Sequence, residues 1–280
     1  MANNPAFNRI EQDARSGYAA FRDQPAHYPQ QTYPQPGAPV GQDQLEQMYH
    51  APDATAFDAR RVTMDDVIMK TLGLFAIVIT TAAAGWFVAA ANPAIGFMVW
   101  LGGAIATLIL GLVIAFKKTL SVPLILAYAV VEGLFVGAVS QFFNALYQGI
   151  VSQAILATLA TFAGMFLAYK FGLIKVTDKF RRIMAMALIG YAIFAVVNFV
   201  YALVTSTPFG IGGSGMLGIG ISIFAVGLAS LTLALDFDAI DRAIATGAPQ
   251  KYSWLLAHGL IVTLVWLYIE FLRLLGRLRN

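Results

Sequence analysis

The sequence predicts an all-α, polytopic membrane protein in which a polar N-terminal tail precedes a bundle of seven transmembrane helices. Of its 280 residues, 59% are hydrophobic and only 12% are charged. Soluble domains average roughly 45–50% apolar and about 25% charged residues. The apolar residues form seven runs close to the roughly 20 residues that cross a bilayer. The lipid bilayer is therefore the first expected partner.

The charge and the missing cysteines exclude several classes of function. The formal net charge is +3, and the basic residues lie mostly in the tail and a few loops, so they reflect membrane topology and do not indicate a nucleic-acid surface. The chain contains no cysteine, which removes disulfides, thiolate metal sites and thiol nucleophiles. Enzyme activity is not expected, because no nucleophile with a base and no metal motif is visible.

Residues 1–61 are predicted to be a disordered cytoplasmic tail, and residues 62–280 the transmembrane domain. The stretch 25–37 is rich in Pro, Gln and Tyr, which leaves too little apolar surface to offset the entropy of ordering. The tail lacks the features of a secretory signal peptide. A tail with this composition is also suited to recruiting a protein partner, so both interpretations stay open. Thr63 is predicted to cap the first helix, because Asp65 and Asp66 follow it.

The apolar runs divide at charged or Pro/Gly-rich breaks into seven predicted spans. These are residues 71–90, 93–116, 122–143, 150–169, 183–204, 216–235 and 254–275. The loops before the second, fourth and sixth spans carry no Lys or Arg, whereas the other three loops are basic. By the positive-inside rule, the N terminus and the basic loops are cytoplasmic. Seven spans place the C-terminal arginines outside; a re-entrant segment with both termini cytoplasmic is the alternative, and seven spans are favoured.

Three carboxylates, Glu132, Asp236 and Glu270, interrupt or border apolar runs that are otherwise almost free of charge. An ionisable side chain in a membrane span is costly, so it marks an ion path, a proton relay or a counter-ion. Glu132 lies near the bilayer midplane, one turn after Tyr128, and is a candidate for an ion path. The alternative is a structural role in which it pairs with a polar group such as Asn198 on another helix.

Asp236 and Asp238 lie at the predicted end of the sixth span and point to nearly opposite faces of the helix, so at most one looks into a shared cavity. Asp236 is deeper and is the better candidate. Asp238 is a second ion-path candidate, although a solvated helix end is its simpler interpretation. Glu270 is embedded in apolar sequence, where Arg273 at i+3 is placed to neutralise it. His258 is predicted to be a hydrogen-bonded packing histidine near the site, because a lone histidine is weak support for a metal ligand.

Two segments resemble the sixth and seventh spans of the Bax inhibitor-1 family, the transmembrane Bax-inhibitor-motif proteins. They are LDFDAI at residues 235–240 and LYIEFLRLLG at residues 267–276. The resemblance extends from about Thr63 to the C terminus and fits a bacterial-type member, which would lie in the plasma membrane. It implies that Asp236 and Glu270 form a proton-sharing pair that gates a calcium leak.

The chain departs from the family pattern at this pair. Glu replaces the usual Asp at position 270, and the interval between the two carboxylates is longer. A straight hairpin that turns at residues 247–249 places Asp236 opposite residues 258–262, about 12 Å from Glu270 at the helical rise. A direct pair therefore requires an irregular or tilted sixth helix.

The predicted function is a pH-sensitive calcium leak, with calcium and protons as its ionic partners and no bound cofactor. Two close carboxyls do not easily both ionise, so one proton is held between them and acts as a switch. Calcium prefers roughly six to eight oxygen ligands, so Asp236, Glu270 and Glu132, with carbonyls and water, would form a weak, transient site suited to conduction. The alternative is a membrane interaction protein that modulates a membrane protease or a stress or cell-death partner without conducting ions.

Overall fold

The structure is a computed structural model that describes residues 60–117, 119–207 and 209–280. Within these ranges the chain forms seven long apolar helices and no β-strand, which confirms the predicted architecture. The helices are α1 (Met64–Ala91), α2 (Pro93–Phe116), α3 (Val122–Leu146), α4 (Ile150–Lys170), α5 (Asp178–Thr205), α6 (Met216–Ala245) and α7 (Ser253–Arg279). A short 3-10 turn at Gln250–Tyr252 precedes α7. The predicted disordered tail lies almost entirely outside the described residues and stays a prediction.

The first helix begins where the sequence predicts. The Thr63 hydroxyl oxygen accepts a hydrogen bond from the Asp66 N–H at 3.2 Å, and the Asp66 carboxylate accepts one from the Thr63 N–H at 3.4 Å. This reciprocal capping box satisfies two N–H groups that the helix itself leaves unpaired. Immediately before it, the Val62 N–H donates to the Ala248 carbonyl at 2.8 Å. The chain entering α1 is thereby joined to the α6–α7 loop.

The sixth helix is longer than the sequence predicts. It continues to Ala245, well past the predicted end at residue 235. The additional turns carry Asp238, which forms ion pairs with Arg181 at 3.2 Å and Arg242 at 2.9 Å. Because these partners compensate the carboxylate, its charge does not end the helix. The predicted span 216–235 covers the apolar part of α6, and the helix continues for ten more residues.

The helices alternate in direction, so the bundle has two ends. The basic-loop end consists of residues 60–63 and the α2–α3, α4–α5 and α6–α7 loops; the C-terminal end consists of the other three loops and Asn280. Arg279 fixes the second group, because it donates to the Gln148 carbonyl at 2.9 Å and to Gln153 Oε1 at 2.7 Å. The last helix therefore runs the full length of the bundle, as seven spans require. Which end is cytoplasmic stays a prediction.

Glycines allow α1 and α3 to pack backbone against backbone. A Cβ atom at Gly133 would overlap the Thr81 side chain and the Val78 carbonyl, and one at Gly137 would overlap the Ala82 carbonyl. Gly133 and Gly137 thus form a small-xxx-small pair at which the two backbones approach closely.

The helices differ in how deeply they sit in the bundle. Helix α7 packs against α1, α3, α4 and α6 and is the most buried span. In contrast, Met184 is the single fully buried residue of α5, and many of its large apolar side chains face outward. Such a surface suits lipid contact. The central helix α7 therefore organises the interior that holds the candidate site.

Candidate functional site

The three predicted carboxylates all lie inside the bundle, at three separate positions. The exposed fractions of Glu132, Asp236 and Glu270 are 3%, 9% and 2%. Each has its own set of neighbours, and no group of three His, Cys, Asp or Glu side chains is placed to hold a metal ion within the described residues. A calcium site built from all three carboxylates together is therefore not formed in this arrangement.

Glu132 is held by an aromatic neighbour on its own helix. The Tyr128 hydroxyl donates to its Oε1 atom at 2.9 Å, and the Tyr128 ring meets the buried His258 ring edge to face, with 4.5 Å between centroids. The second carboxyl oxygen, Oε2, is buried and has no hydrogen-bond partner among the described residues. Glu132 therefore keeps one oxygen uncompensated at the α3–α7 contact.

Asn198 does not partner Glu132, so the residue named as an example in the structural alternative is wrong. Its Oδ1 atom accepts from the Ile211 N–H at 2.7 Å, and its Nδ2 atom donates to the Phe209 carbonyl at 3.4 Å. These bonds tie α5 to the α5–α6 loop at the C-terminal end, because a glycine-rich loop leaves backbone groups that need partners. Asn198 organises that loop and lies outside the carboxylate region.

Asp236 lies on α6 and faces α7. The Thr263 side chain of α7 lies beside its carboxyl group. A Cβ atom at Gly259 would stand 3.9 Å from Oδ1, so the glycine leaves the carboxyl close to the α7 backbone. The Oδ2 atom is buried without a partner in the described part of the chain. Asp236 thus resembles Glu132: each is a buried carboxyl with one free oxygen.

Glu270 has a different environment, because its Oε1 atom is fully engaged. Tyr191 on α5 donates to it at 2.5 Å, the Trp266 indole at 3.1 Å and the Arg273 guanidinium at 3.3 Å. The predicted neutralisation by Arg273 is confirmed. Glu270 therefore differs from Glu132 and Asp236 in having a cationic partner and two neutral donors on one carboxyl oxygen.

Asp236 and Glu270 are not neighbours in this structure. Asp236 meets α7 at Gly259 and Thr263, and seven residues separate Thr263 from Glu270. At the helical rise this is about 10 Å along α7. Because α6 runs as one helix through position 236, the irregularity that a direct pair requires is absent there. The hairpin expectation of a separated pair agrees with this placement.

Asp238 lies outside the interior occupied by Glu132 and Asp236. Its carboxylate forms ion pairs with Arg181 of α5 and with Arg242 of its own helix, near the basic-loop end. These pairs connect α5 to α6. The sequence argument that Asp236 and Asp238 face opposite sides is consistent with their different partners.

Tyr191 and Thr263 are site residues that sequence reasoning did not identify. A single tyrosine or threonine in an apolar helix carries no signal of its own, since both residue types are common in spans. The burial of the Arg277 side chain, which is 4% exposed, was not predicted either. Only the tertiary contacts reveal these three.

Comparison with known families agrees with this architecture. The family profile described as Bax inhibitor 1 like matches residues 4–280 of the chain. No curated protein matches the chain. The matched range contains all seven helices and the three carboxylates, so the resemblance suggested by the α6 and α7 motifs is confirmed. The chain belongs to the Bax inhibitor 1 like family.

Proposed function

We propose that this membrane protein is a pH-sensitive cation leak that passes calcium, and that the arrangement described above is its closed state. One observation carries the proposal: Glu132 and Asp236 each keep a carboxyl oxygen without a hydrogen-bond partner among the described residues, deep in the bundle. Stable proteins rarely leave such atoms unpaired. In a membrane span, unpaired carboxyls suit a path for ions or protons.

The cost of burying charge links this geometry to a proton. Glu132 is faced by Tyr128 and, through that ring, by His258, and Asp236 is faced by Thr263. Neither carboxyl forms an ion pair with a Lys or Arg of the described residues. Ionising either one without moving the helices therefore leaves a buried charge uncompensated, which costs several kcal/mol. A cost of this size is enough to shift the equilibrium between two helix arrangements whose free energies differ by a few kcal/mol.

The roles of the carboxylates follow from their partners. Asp236 senses the proton, because it lacks a cation and its carboxyl lies close to the α7 backbone at Gly259, whereas Glu132 is held by Tyr128 of its own helix. Glu132 lines the path. Glu270, held by Tyr191 and Arg273, controls how α5 sits against α7. Since about 10 Å of α7 lies between the two positions, Asp236 and Glu270 are coupled through the movement of α7 and do not share one proton in the closed state.

Calcium is the proposed cargo because the interior offers hard oxygen ligands. Carboxylate, hydroxyl and backbone carbonyl oxygens are the ligands it prefers, at flexible geometry. The carboxyls stand apart in the closed state, so binding is transient and occurs only as the path hydrates. Weak binding at successive positions is what conduction requires.

The test is calcium entry into liposomes that contain only this protein, measured between about pH 5 and 8, where desolvated carboxyls titrate. Asp236→Asn keeps the shape of the side chain and cannot ionise. At every pH its calcium flux is therefore expected to equal the flux that the wild-type protein shows at acidic pH. Glu132→Gln lowers flux at every pH without removing the pH dependence. Asp241→Asn is the matched control on the same helix, because Asp241 accepts a bond from Tyr169 near the basic-loop end; it keeps the wild-type pH profile.

The outcomes separate the possible functions. If Asp236→Asn retains the wild-type pH profile, Asp236 is not the sensor. If the wild-type protein passes no cation at any pH, the leak is rejected and the interaction-protein alternative replaces it. The double variant Asp236→Asn with Glu270→Gln distinguishes the two coupling mechanisms: a shared proton means that it adds little beyond either single change, whereas separate sites mean that both effects combine.

A further inference from the structure

Arg277 is a buried cation whose donors are largely unpaired. Its side chain lies on α7 close to the C-terminal end and is 4% exposed. Nη2 donates to the Phe209 carbonyl at 3.0 Å, while Nε and Nη1 are buried and have no hydrogen-bond partner among the described residues. Leaving a buried donor of a charged group unpaired is costly. The guanidinium thus has two donors available for an acceptor that the described residues do not provide.

No carboxylate of the described residues pairs with Arg277. The acidic group on the same helix, Glu270, is already engaged by Arg273 at 3.3 Å. Arg279 lies nearby in sequence and uses its donors on Gln148 and Gln153. The C-terminal end therefore carries more positive than negative charge, and the missing counter-charge is an anion from outside this set.

A second positive feature meets the guanidinium at the same place. A Cβ atom at Gly218 would overlap Nη1 of Arg277, so this nitrogen lies against the first turn of α6. The helix begins after Gly215, which gives no side-chain cap, and its first turn contains no acidic residue. The N–H groups at a helix start are unpaired within the helix and attract anions. An arginine directed at this end strengthens the preference for negative charge.

Phe209 covers the guanidinium. Its ring centroid is 5.6 Å from the Arg277 Cζ atom, and its backbone has a φ of 64°, a left-handed conformation that non-glycine residues rarely adopt. The adjacent Gly210 and Gly212 also have positive φ values, of 74° and 85°. The Phe209 ring therefore separates Nε and Nη1 from the surroundings of the bundle on this side.

We infer that Arg277, together with the first turn of α6, forms a binding site for a phosphate-type anion beneath the Phe209 cover. The unpaired Nε and Nη1 atoms each offer a charge-assisted hydrogen bond of the kind that phosphate oxygens accept. The site lies where a span ends, at the height of lipid headgroups, and the neighbouring Met216 and Leu217 side chains are 90% and 65% exposed. A phosphodiester headgroup with its acyl chains beside these residues satisfies both the charge and the apolar surface.

The experiment uses the full chain, purified in detergent and delipidated. Bound lipid is counted by native mass spectrometry, and the unfolding temperature is followed as phosphatidylglycerol, phosphatidylcholine or inorganic phosphate is added. Wild type is expected to retain phosphatidylglycerol and to be stabilised by it more than by phosphatidylcholine. Arg277→Gln is expected to bind phosphatidylglycerol about tenfold or more weakly, as the loss of charge-assisted hydrogen bonds implies. Arg279→Gln is the matched control and keeps the wild-type affinity.

Each outcome decides the proposal. Stabilisation by inorganic phosphate equal to that by phosphatidylglycerol supports the anion site and makes a soluble anion its source. If the protein shows no preference for phosphatidylglycerol over phosphatidylcholine and phosphate has no effect, the site is overturned. Arg277 then serves only to bind the carbonyl of Phe209 in the α5–α6 loop. An equal loss of binding in Arg279→Gln overturns the assignment to Arg277. If Arg277→Gln does not fold, Phe209→Ala decides: removing the cover is expected to speed phosphatidylglycerol binding, and an unchanged rate overturns the proposal. None of these readouts depends on ion flux.

Discussion

The hydrogen bond from Tyr191 to Glu270 is predicted to hold α5 against the rest of the bundle. Helix α5 fully buries Met184 alone, so apolar packing contributes little to its position. Polar contacts secure it instead, at three heights: Arg181 with Asp238, Tyr191 with Glu270, and Asn198 with the α5–α6 loop. Tyr191→Phe removes the middle contact and keeps the ring, which stacks near Trp266. The change therefore isolates one hydrogen bond.

The expected cost follows from the partners that remain. The hydroxyl stands 2.5 Å from Glu270 Oε1, and a hydrogen bond to a charged group contributes about 1.5–3 kcal/mol. Trp266 and Arg273 still donate to the same oxygen after the change, so the carboxylate is not left unpaired. The expected loss of stability is therefore at the lower end of this range, about 1.5 kcal/mol. A loss of about 1.5 kcal/mol lowers the unfolding temperature by about 3–6 °C for a domain of this size.

Thermal unfolding in one detergent measures this shift, with Tyr201→Phe as the control. Tyr201 lies on the same helix and is 43% exposed, and its hydroxyl has no hydrogen bond with the described residues. Its replacement is expected to change the unfolding temperature by less than about 1 °C, as is usual for surface substitutions. Equal shifts in the two variants would show that the hydrogen bond from Tyr191 does not stabilise the position of α5. The proposed role of Glu270 in positioning α5 would then be rejected.

Three further predictions concern packing, topology and the tail. Gly85→Ala is expected to destabilise the protein by about 1–3 kcal/mol, because a Cβ atom there overlaps an α3 carbonyl. Gly73→Ala on the same helix is the control, because a Cβ atom there meets open space. Thermal unfolding compares the two variants, and equal stability would contradict the close packing of α1 against α3. Reporters fused at Lys179 and at Asn280 are expected on opposite sides of the membrane, with Lys179 cytoplasmic; a shared side would contradict seven crossings. Deletion of residues 1–40 is expected to leave stability and liposome flux nearly unchanged, because its composition offers little apolar surface; a large loss of stability would reveal a docked segment.

The number and order of the helices could be predicted from the sequence because each span is a local property. Length, hydropathy and loop charge are readable within about 20 residues. The Thr63 cap is local as well, and it was predicted. The continuation of α6 beyond residue 235 was not: Arg242 lies one turn after Asp238, but the second cation that compensates it, Arg181, lies 57 residues earlier. Sequence patterns show the charge and do not show the distant residue that compensates it.

The same limit applies to the candidate site. Tyr128 was visible as a neighbour of Glu132 because the two lie one helical turn apart. The choice of Asn198 as a distant partner was wrong, because several polar residues in other spans were equally eligible by sequence. Tyr191, whose hydroxyl reaches Glu270 from 79 residues away, carried no local signal. Positions can therefore be chosen from sequence, while pairings between helices require the packed structure.

The separation of Asp236 from Glu270 changes how a proton can act on this protein. Asp236 meets α7 on the basic-loop side of its middle, and Glu270 lies toward the C-terminal end, with Tyr268 and its 2.7 Å contact to Ser140 of α3 close by. A helix transmits displacement along its axis because its backbone hydrogen bonds resist stretching. In the mechanism proposed above, charge on Asp236 pushes against α7 and thereby loads the hydrogen bond that Tyr191 donates to Glu270. Control of α5 from a buried carboxyl on α6 requires only this central helix, and no proton has to pass between the two acids.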